Sequence, residues 1–302
     1  MTPKNLLIRA ALYTLAALPY RLQAVMVPPL FLIIWHSRSS IRRTIEVNIR
    51  LCFPQLDPQQ QQQLVRQAIR HTIATALAMP RNWLHFKADD PAIFAGIDGQ
   101  EVLDAALAQG RGVILVAPHM GFWEFFLLQI ASQYPVSVLC NNVDEFAPGQ
   151  INDCINNARI KTGAVILEAK PGVKKRCEKI LQQGGMVIIP PDQIPADKRA
   201  YLFADFFGQP AATLTLIPIL ARSTGATLVT GFAKRLDDGR YRLTIRAVDN
   251  DSLVNGSDSL LDAVNAVNQA VEKLINEAPA QYLWTYRRFR LGPKGRRKMY
   301  RR

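Results

Sequence analysis

A histidine and a glutamate five residues apart, His119 and Glu124, are the residues of this sequence best arranged for acid–base chemistry. His119 follows the apolar run 113–117 and Pro118, and Gly121 opens a helical stretch. The imidazole is therefore expected just beyond the carboxyl end of a buried strand, where open α/β sheets place their ligands. A carboxylate that accepts one ring N–H fixes the tautomer, and the other nitrogen can then take a proton from a hydroxyl. The pair is interpreted as a general base and its orienting carboxylate, with a histidine that only caps the strand–helix junction as the alternative.

Other chemistries lack their sequence signatures. The chain contains no G-x-S-x-G nucleophile elbow, no P-loop, no G-x-G-x-x-G turn and no paired-histidine metal motif. Neither a metal nor a cofactor is therefore expected, and a base without its own nucleophile favours direct attack by an acceptor hydroxyl. His36, His71 and His85 are weaker candidates because they adjoin an apolar stretch or lie in a helical one.

The elements around His119 alternate between short apolar runs and helical stretches, which predicts parallel strands joined by right-handed crossovers. The runs 228–233 and 241–248, joined by Asp237, Asp238 and Gly239, predict an antiparallel hairpin. The predicted fold class is therefore α/β, with a mixed, mainly parallel central sheet flanked by helices. The other predicted strands are 113–117, 136–140, 164–167 and 186–190, and the predicted helices are 57–84, 121–134, 150–162, 172–183 and 257–276.

Composition excludes a disordered chain and places the charge mainly at one end. Of 302 residues, 49% are hydrophobic, and 37 Lys and Arg against 24 Asp and Glu give a net charge of +13. The last sixteen residues, 287–302, carry nine of the basic residues and no acidic one, so the basic charge is mostly a C-terminal tail. Membrane phosphates or an acidic carrier protein are its expected partners, and no nucleic acid is expected because no nucleic-acid-binding motif accompanies it. Four scattered cysteines without a C-x-x-C pair fit a reducing cytosol.

Two apolar stretches, 10–20 and 22–37, open the chain and are separated by Arg21. Neither reaches the roughly 20 residues of a clean transmembrane helix, and Pro28 and Pro29 interrupt the second. A shallow or re-entrant helical membrane anchor is therefore as well supported as a tilted crossing. The predicted organisation is an N-terminal membrane-associating helical region, 1–90, followed by an α/β body with the basic tail, 91–302.

The segment 116–124 looks like the H-x4-D/E motif of glycerolipid-type acyltransferases, and its surroundings resemble the late acyltransferases of bacterial lipid A biosynthesis. The likeness covers nearly the whole chain in order. Four positions depart from the usual pattern. Phe122 stands where relatives commonly have Asn, and Tyr286 where His is frequent. Ile194 stands where an acidic residue often follows Asp-Gln, and Ala280 where Glu often precedes Gln-Tyr. The other similar segments are 48–54, Arg159 with Gly163, 191–193, 205–213, 220–226 and 281–289.

The resemblance implies a membrane-associated enzyme at the cytoplasmic face of the bacterial inner membrane. It would move a fatty acyl chain from acyl carrier protein to a hydroxyl of a lipid A precursor, a glycolipid acceptor, with His119 as the base. Oxyanion stabilisation is assigned to backbone N–H groups near Gly121 or to Arg159, and Asp192 and Gln193 are expected to position the acceptor. Phe206, Phe207 and Gly208 are expected to line an acyl or acceptor channel.

Two alternatives remain open at this stage. The chain could acylate another lipid, such as a lysophospholipid, an ornithine lipid or a polyene-type lipid, possibly from acyl-CoA. It could also be a non-catalytic membrane lipid-binding protein in which His119 is structural. Replacing His119 separates these, because an enzyme would lose transfer while a carrier would keep binding.

Overall fold

A seven-stranded mixed sheet forms the centre of the computed structural model, which describes residues 3–37, 39–140, 149–249, 259–296 and 299–300. Its strands are β1 Phe94–Asp98, β2 Val113–Val116, β3 Val136–Cys140, β4 Val165–Glu168, β5 Met186–Ile189, β8 Thr227–Arg235 and β9 Tyr241–Ala247. They lie in the order β1-β9-β8-β2-β5-β3-β4, and every pair is parallel except β8 with β9. The predicted α/β class and the predicted antiparallel hairpin are confirmed.

Five strands of the described residues were not predicted from the sequence. β1 lies at an edge of the sheet, is only partly buried and pairs with a register shift, so its apolar pattern is weak. β6 Tyr201–Phe206 and β7 Gln209–Leu214 form a separate hairpin. Its turn is Phe207-Gly208, with φ of 51° and 70°, and this pair is not one of the Asn-Gly or Asp-Gly signals that announce a two-residue turn. A short pair, β10 Leu291–Gly292 and β11 Gly295–Arg296, follows near the C-terminus.

Helices cover the sheet, and the predicted ones are present within a few residues of their expected ends. The long helix α5 begins where predicted because Asp57 and Gln60 form a reciprocal capping box, with hydrogen bonds of 2.8 Å and 3.0 Å. The helices are α1 Pro3–Ala17, α2 Tyr20–Val25, α3 Val27–His36, α4 Ser40–Cys52, α5 Pro58–His85, α6 Gln100–Ala108, α7 Trp123–Gln133, α8 Gly149–Lys161, α9 Val173–Gln182, α10 Leu216–Thr224 and α11 Leu260–Glu277.

The two faces of the sheet bury separate hydrophobic clusters, because successive residues of a strand point to opposite faces. In β2, Ile114 and Val116 pack with side chains of α4, α10 and α11, whereas Val113 and Leu115 pack with α6 and α7. Helix α5 contributes to both clusters, with Ile69 in the first and Ala78 in the second. The helical region before the sheet therefore shares the core of the sheet.

A helix that spans a bilayer must be both long enough and strongly apolar. Within the described residues, no single helix meets both requirements. The segments Leu6–Ala17 and Tyr20–His36 meet them only as a pair, and they are bent by 110° at the break between them.

Candidate active site

His119 and Asp192 meet at the carboxyl edge of the sheet because β2 and β5 are adjacent and in register. Val116, the last residue of β2, is opposite Ile189, the last residue of β5. His119 and Asp192 each lie three residues beyond those partners. Two parallel strands leave the sheet at the same edge, so the two loops bring an imidazole and a carboxylate together.

Asp192 holds His119 through two contacts. Its Oδ1 lies 2.8 Å from His119 Nδ1, and its Oδ2 accepts the backbone N–H of His119 at 2.9 Å. Burial lowers the pKa of His119, but the adjacent Asp192 carboxylate outweighs burial, and the pKa lies above the ordinary value of 6.5. In turn, the imidazole keeps the pKa of Asp192 below its usual value despite burial. A carboxylate on Nδ1 leaves Nε2 as the nitrogen that can accept a proton.

This pairing corrects the expectation that Glu124 orients the imidazole. The carboxylate on the ring is supplied by the neighbouring strand, whereas Glu124 lies in the first turn of α7 and binds Arg159. Glu124 is close enough for its charge to raise the pKa of His119, but the structure shows no hydrogen bond between these two described side chains.

Glu124 and Arg159 form a buried ion pair beside His119. Arg159 Nη2 donates to Glu124 Oε1 at 2.6 Å, and Arg159 Nε donates to Glu124 Oε2 at 3.4 Å. Arg159 Nη1 also donates to the Cys140 sulfur at 2.9 Å. The side chains of Arg159 and Glu124 are 10% and 5% exposed, so Arg159 is not a surface residue of α8. Burial alone would lower the pKa of Arg159, but Glu124 raises it, so the guanidinium stays charged.

Two further side chains complete the surroundings of the imidazole. Gln193 Nε2 lies 3.3 Å from His119 Nε2, the nitrogen that faces away from Asp192. Tyr282 hydrogen-bonds the Asp192 side chain, and burial raises the pKa of its phenol well above the usual value, so it remains protonated as a donor. The ring of Trp123 meets His119 edge-on, with centroids 5.6 Å apart.

The loop that carries His119 is held by segments from far along the chain. Gly121 N donates to Gln281 O at 2.8 Å, and Leu283 N donates to His119 O at 2.9 Å. Gly121 has φ +59°, and a Cβ on it would lie 1.9 Å from the carbonyl oxygen of Ala233. The segment 281–289 therefore supports the loop that carries His119 through backbone hydrogen bonds.

The backbone N–H groups of residues 119–122 are already engaged, so none of these four is free for an oxyanion hole. Those of His119, Met120, Gly121 and Phe122 already donate to Asp192, Pro118, Gln281 and Ala233, respectively, at 2.8–3.0 Å. Arg159 remains the candidate cation for that role. Its guanidinium has five donors, and three of them are used by Glu124 and Cys140.

His119, Glu124, Arg159 and Gln193 all line one cavity of about 880 Å³. Most of the remaining wall is apolar, and that composition suits a fatty chain. The apolar wall includes Met79, Trp83, Phe126, Leu127, Ile155, Leu216 and Ile219.

Phe206, Phe207 and Gly208 do not line this cavity, so the acyl or acceptor channel predicted for them is not part of it. Phe206 is 1% exposed and packs against Tyr282 and Phe289. Phe207 packs against Phe53, and Gly208 completes the turn of the β6–β7 hairpin. Phe206 is therefore a core residue, and Phe207 is a half-buried residue packed against the same core.

Sequence reasoning assigned Asp192 only a positioning role and did not identify Tyr282 at all. The signal for Asp192 was present, since both His119 and Asp192 follow buried apolar runs at equal distances. Whether His119 and Asp192 touch depends on the strand order, in which β5 rather than β3 lies beside β2.

Comparisons with known proteins identify the family of the chain. A family model described as bacterial lipid A biosynthesis acyltransferase matches residues 3–291. The chain is 26% identical over 259 residues to a lipid A biosynthesis lauroyltransferase of Escherichia coli (strain K12), which covers 84% of this chain and 80% of the relative. It is 26% identical to a palmitoleoyltransferase of the same organism, with 87% and 82% covered, and 24% identical to a myristoyltransferase, with 88% and 80% covered.

Proposed function

The chain belongs to the bacterial lipid A biosynthesis acyltransferase family and is an acyltransferase, and on this premise we propose that it transfers a fatty acyl group from acyl carrier protein to a hydroxyl of a lipid A precursor. The observation that carries the proposal is the imidazole of His119. Its Nδ1 is held by Asp192, and the residue lines a large, mainly apolar cavity. A base in such a position is suited to activating a lipid hydroxyl.

In the proposed reaction, His119 Nε2 takes the proton of the acceptor hydroxyl while the hydroxyl oxygen attacks the thioester carbonyl carbon. The new C–O bond forms, and the carbonyl electrons move to the oxygen. When the tetrahedral intermediate collapses, the C–S bond breaks and the leaving thiolate takes the proton from Nε2. Asp192 stays ionised throughout and stabilises the imidazolium.

Arg159 and Gln193 are assigned supporting roles. The buried guanidinium of Arg159 would stabilise the negative charge that develops on the carbonyl oxygen, because a fixed cation in a poorly hydrated site acts strongly on such charge. Glu124 holds that guanidinium in place with two hydrogen bonds. The amide of Gln193 lies 3.3 Å from Nε2 and therefore marks the position that the acceptor hydroxyl must enter.

The length of the acyl chain does not follow from the relatives. Their names specify lauroyl, palmitoleoyl and myristoyl groups, yet this chain is 24–26% identical to all three. The length of the transferred acyl chain must therefore be measured. We propose that this acyl chain lies in the cavity around Leu127, Leu216 and Ile219.

We place the enzyme at the cytoplasmic face of the bacterial inner membrane. Support comes from α1 to α3, whose exposed apolar side chains include Leu7 at 71%, Val25 at 70% and Ile33 at 65%. Such a surface is suited to the boundary between headgroups and acyl chains. The predicted contribution of the basic tail stays a prediction, because Arg297, Lys298, Arg301 and Arg302 lie outside the described residues.

Mass spectrometry of membrane lipids tests the proposal directly. Cells that express the chain should contain a phosphorylated glucosamine lipid with one added acyl mass, and cells that express the H119A variant should lack it. An added acyl mass on a lysophospholipid or an ornithine lipid would instead assign another acceptor. If the membrane lipids are unchanged and the protein still binds lipid, the protein is a lipid carrier. That result would overturn the enzymatic proposal.

The donor is tested with the purified protein. Transfer from acyl carrier protein should proceed at a higher kcat/KM than transfer from the acyl-CoA of the same chain length. A higher kcat/KM with acyl-CoA would still support an acyltransferase, but it would replace acyl carrier protein as the proposed donor.

A further inference from the structure

The mouth of the active-site cavity carries a group of exposed basic side chains that the reaction does not use. Lys170 follows β4, Lys174 and Lys175 lie in the first turn of α9, and Lys198 and Arg199 lie in the loop after β5. We call these five residues the cationic rim. Lys170, Lys174 and Arg199 also line the cavity that contains His119.

The rim has a clear excess of positive charge. Residues 168–178 and 196–199 contain six Lys and Arg against three acidic residues, Glu168, Glu178 and Asp197. Each of these acids pairs with a basic neighbour, as in the 2.9 Å contacts of Lys174 with Glu178 and of Arg199 with Asp197. Exposed pairs of this kind contribute little, so the ammonium and guanidinium groups can exchange these partners for another anion.

The rim also lacks the apolar character of a bilayer-facing surface. The large exposed apolar side chains lie mainly on α1 to α4, and among the fully described residues 168–182 and 190–200 there is none. A polar cationic surface beside a deep cavity fits a soluble acidic partner that delivers a chain. The surface of α1 to α3, which is suited to a bilayer, carries exposed apolar residues that the rim lacks.

We propose that the cationic rim is the surface on which an acidic acyl carrier protein docks, so that its thioester enters the cavity towards His119. This inference rests on the proposed function, because it specifies where the donor of that reaction binds. Charge on the rim speeds the encounter and holds the carrier, while His119 and Asp192 act on the thioester after it has entered.

Helix α9 supplies a matched control. Its first turn lies at the carboxyl edge of the sheet beside the cavity, whereas its last turn lies near Gly112, the residue before β2, where a Cβ would lie 2.4 Å from Leu181 O. Lys179 is therefore an exposed lysine of the same helix at the opposite edge. Arg111, exposed beside Gly112, is a second basic residue at that edge.

The test compares the variant K174Q/K175Q/K198Q with the control K179Q/R111Q, using acylated carrier protein and an uncharged acyl thioester of N-acetylcysteamine as donors. At low salt the rim variant should lose about tenfold or more in kcat/KM for the carrier donor through KM, and much less for the uncharged donor. The control should resemble wild type with both donors. The difference should shrink at high salt, because screening weakens the contact.

Several results would overturn the proposal. These are an unchanged KM for the carrier donor, an equal loss with both donors, or loss of binding to anionic phospholipid vesicles without loss of carrier binding. If the variant does not fold, the salt dependence of wild-type kcat/KM is measured with both donors instead. Equal salt dependence for the two donors would reject the rim as the docking surface. Failure of wild type to use the carrier donor at all would instead reject the proposed function.

Discussion

The Nδ1 atom of His119 lies 2.8 Å from the Oδ1 atom of Asp192, although 73 residues separate them in the chain. The same carboxylate also accepts the backbone N–H of His119, so it fixes both the loop and the ring. This relationship assigns the ring-orienting role to a loop after β5 rather than to the helix that follows His119.

Replacing Asp192 with Asn should lower kcat by about 10²- to 10⁴-fold while the protein remains folded. The amide keeps the shape but no longer stabilises the imidazolium, and it can hold the wrong tautomer. Steady-state transfer kinetics and circular dichroism measure the two effects. Asp238→Asn, in an exposed turn, is the control and should retain activity. Full activity of Asp192→Asn would remove Asp192 from the mechanism.

The pH dependence of kcat/KM should report the same contact. Because His119 must be unprotonated to act as a base, activity falls as the pH drops through its pKa. Burial opposes protonation but Asp192 outweighs it, so in wild type this fall should centre above pH 6.5. In Asp192→Asn burial is no longer opposed by that carboxylate, and the fall should move to lower pH. A shift in the opposite direction would contradict the assigned pair.

The Glu124–Arg159 pair should show strong coupling in a double-mutant cycle measured by denaturant unfolding. Arg159→Met leaves a buried carboxylate without its partner and should reduce the free energy of unfolding by about 3–5 kcal/mol. Adding Glu124→Gln should recover part of that loss, because the remaining amide carries no charge. Additive effects of the two substitutions would show that the pair is not coupled.

An exposed pair supplies the comparison for this cycle. Arg240 and Asp238 lie 2.8 Å apart with side chains 44% and 47% exposed. Their coupling should be much weaker than that of the buried pair, because water screens the charges.

Gly121→Ala should impair both folding and transfer. The substitution adds the strain of a positive φ and places the new Cβ against Ala233 O, so the loop that carries His119 must move. Gly208→Ala is a matched control, because Gly208 has φ +70° but nothing within 4 Å of an added Cβ. The control should lose about 1 kcal/mol of unfolding free energy and keep its transfer rate. Equal losses in the two variants would exclude the contact with Ala233 as the cause.

Local sequence determined most of the central strands and the position of His119 beyond one of them. Apolar runs of strand length, the Asp57 capping box and the placement of His119 after β2 all depend on residues close in the chain, and the structure agrees with each. The antiparallel β8–β9 hairpin was predictable for the same reason, because its two strands are joined by a short turn.

Only the tertiary structure decided which side chains meet. The sheet order places β5 beside β2, and this brings Asp192 to His119 and leaves Glu124 for Arg159. The same packing buries Phe206 in the core and away from the cavity. Short-range patterns specify hydrogen bonding and burial within one element, whereas contacts between loops depend on how distant strands are ordered, and spacing along the chain does not encode that order.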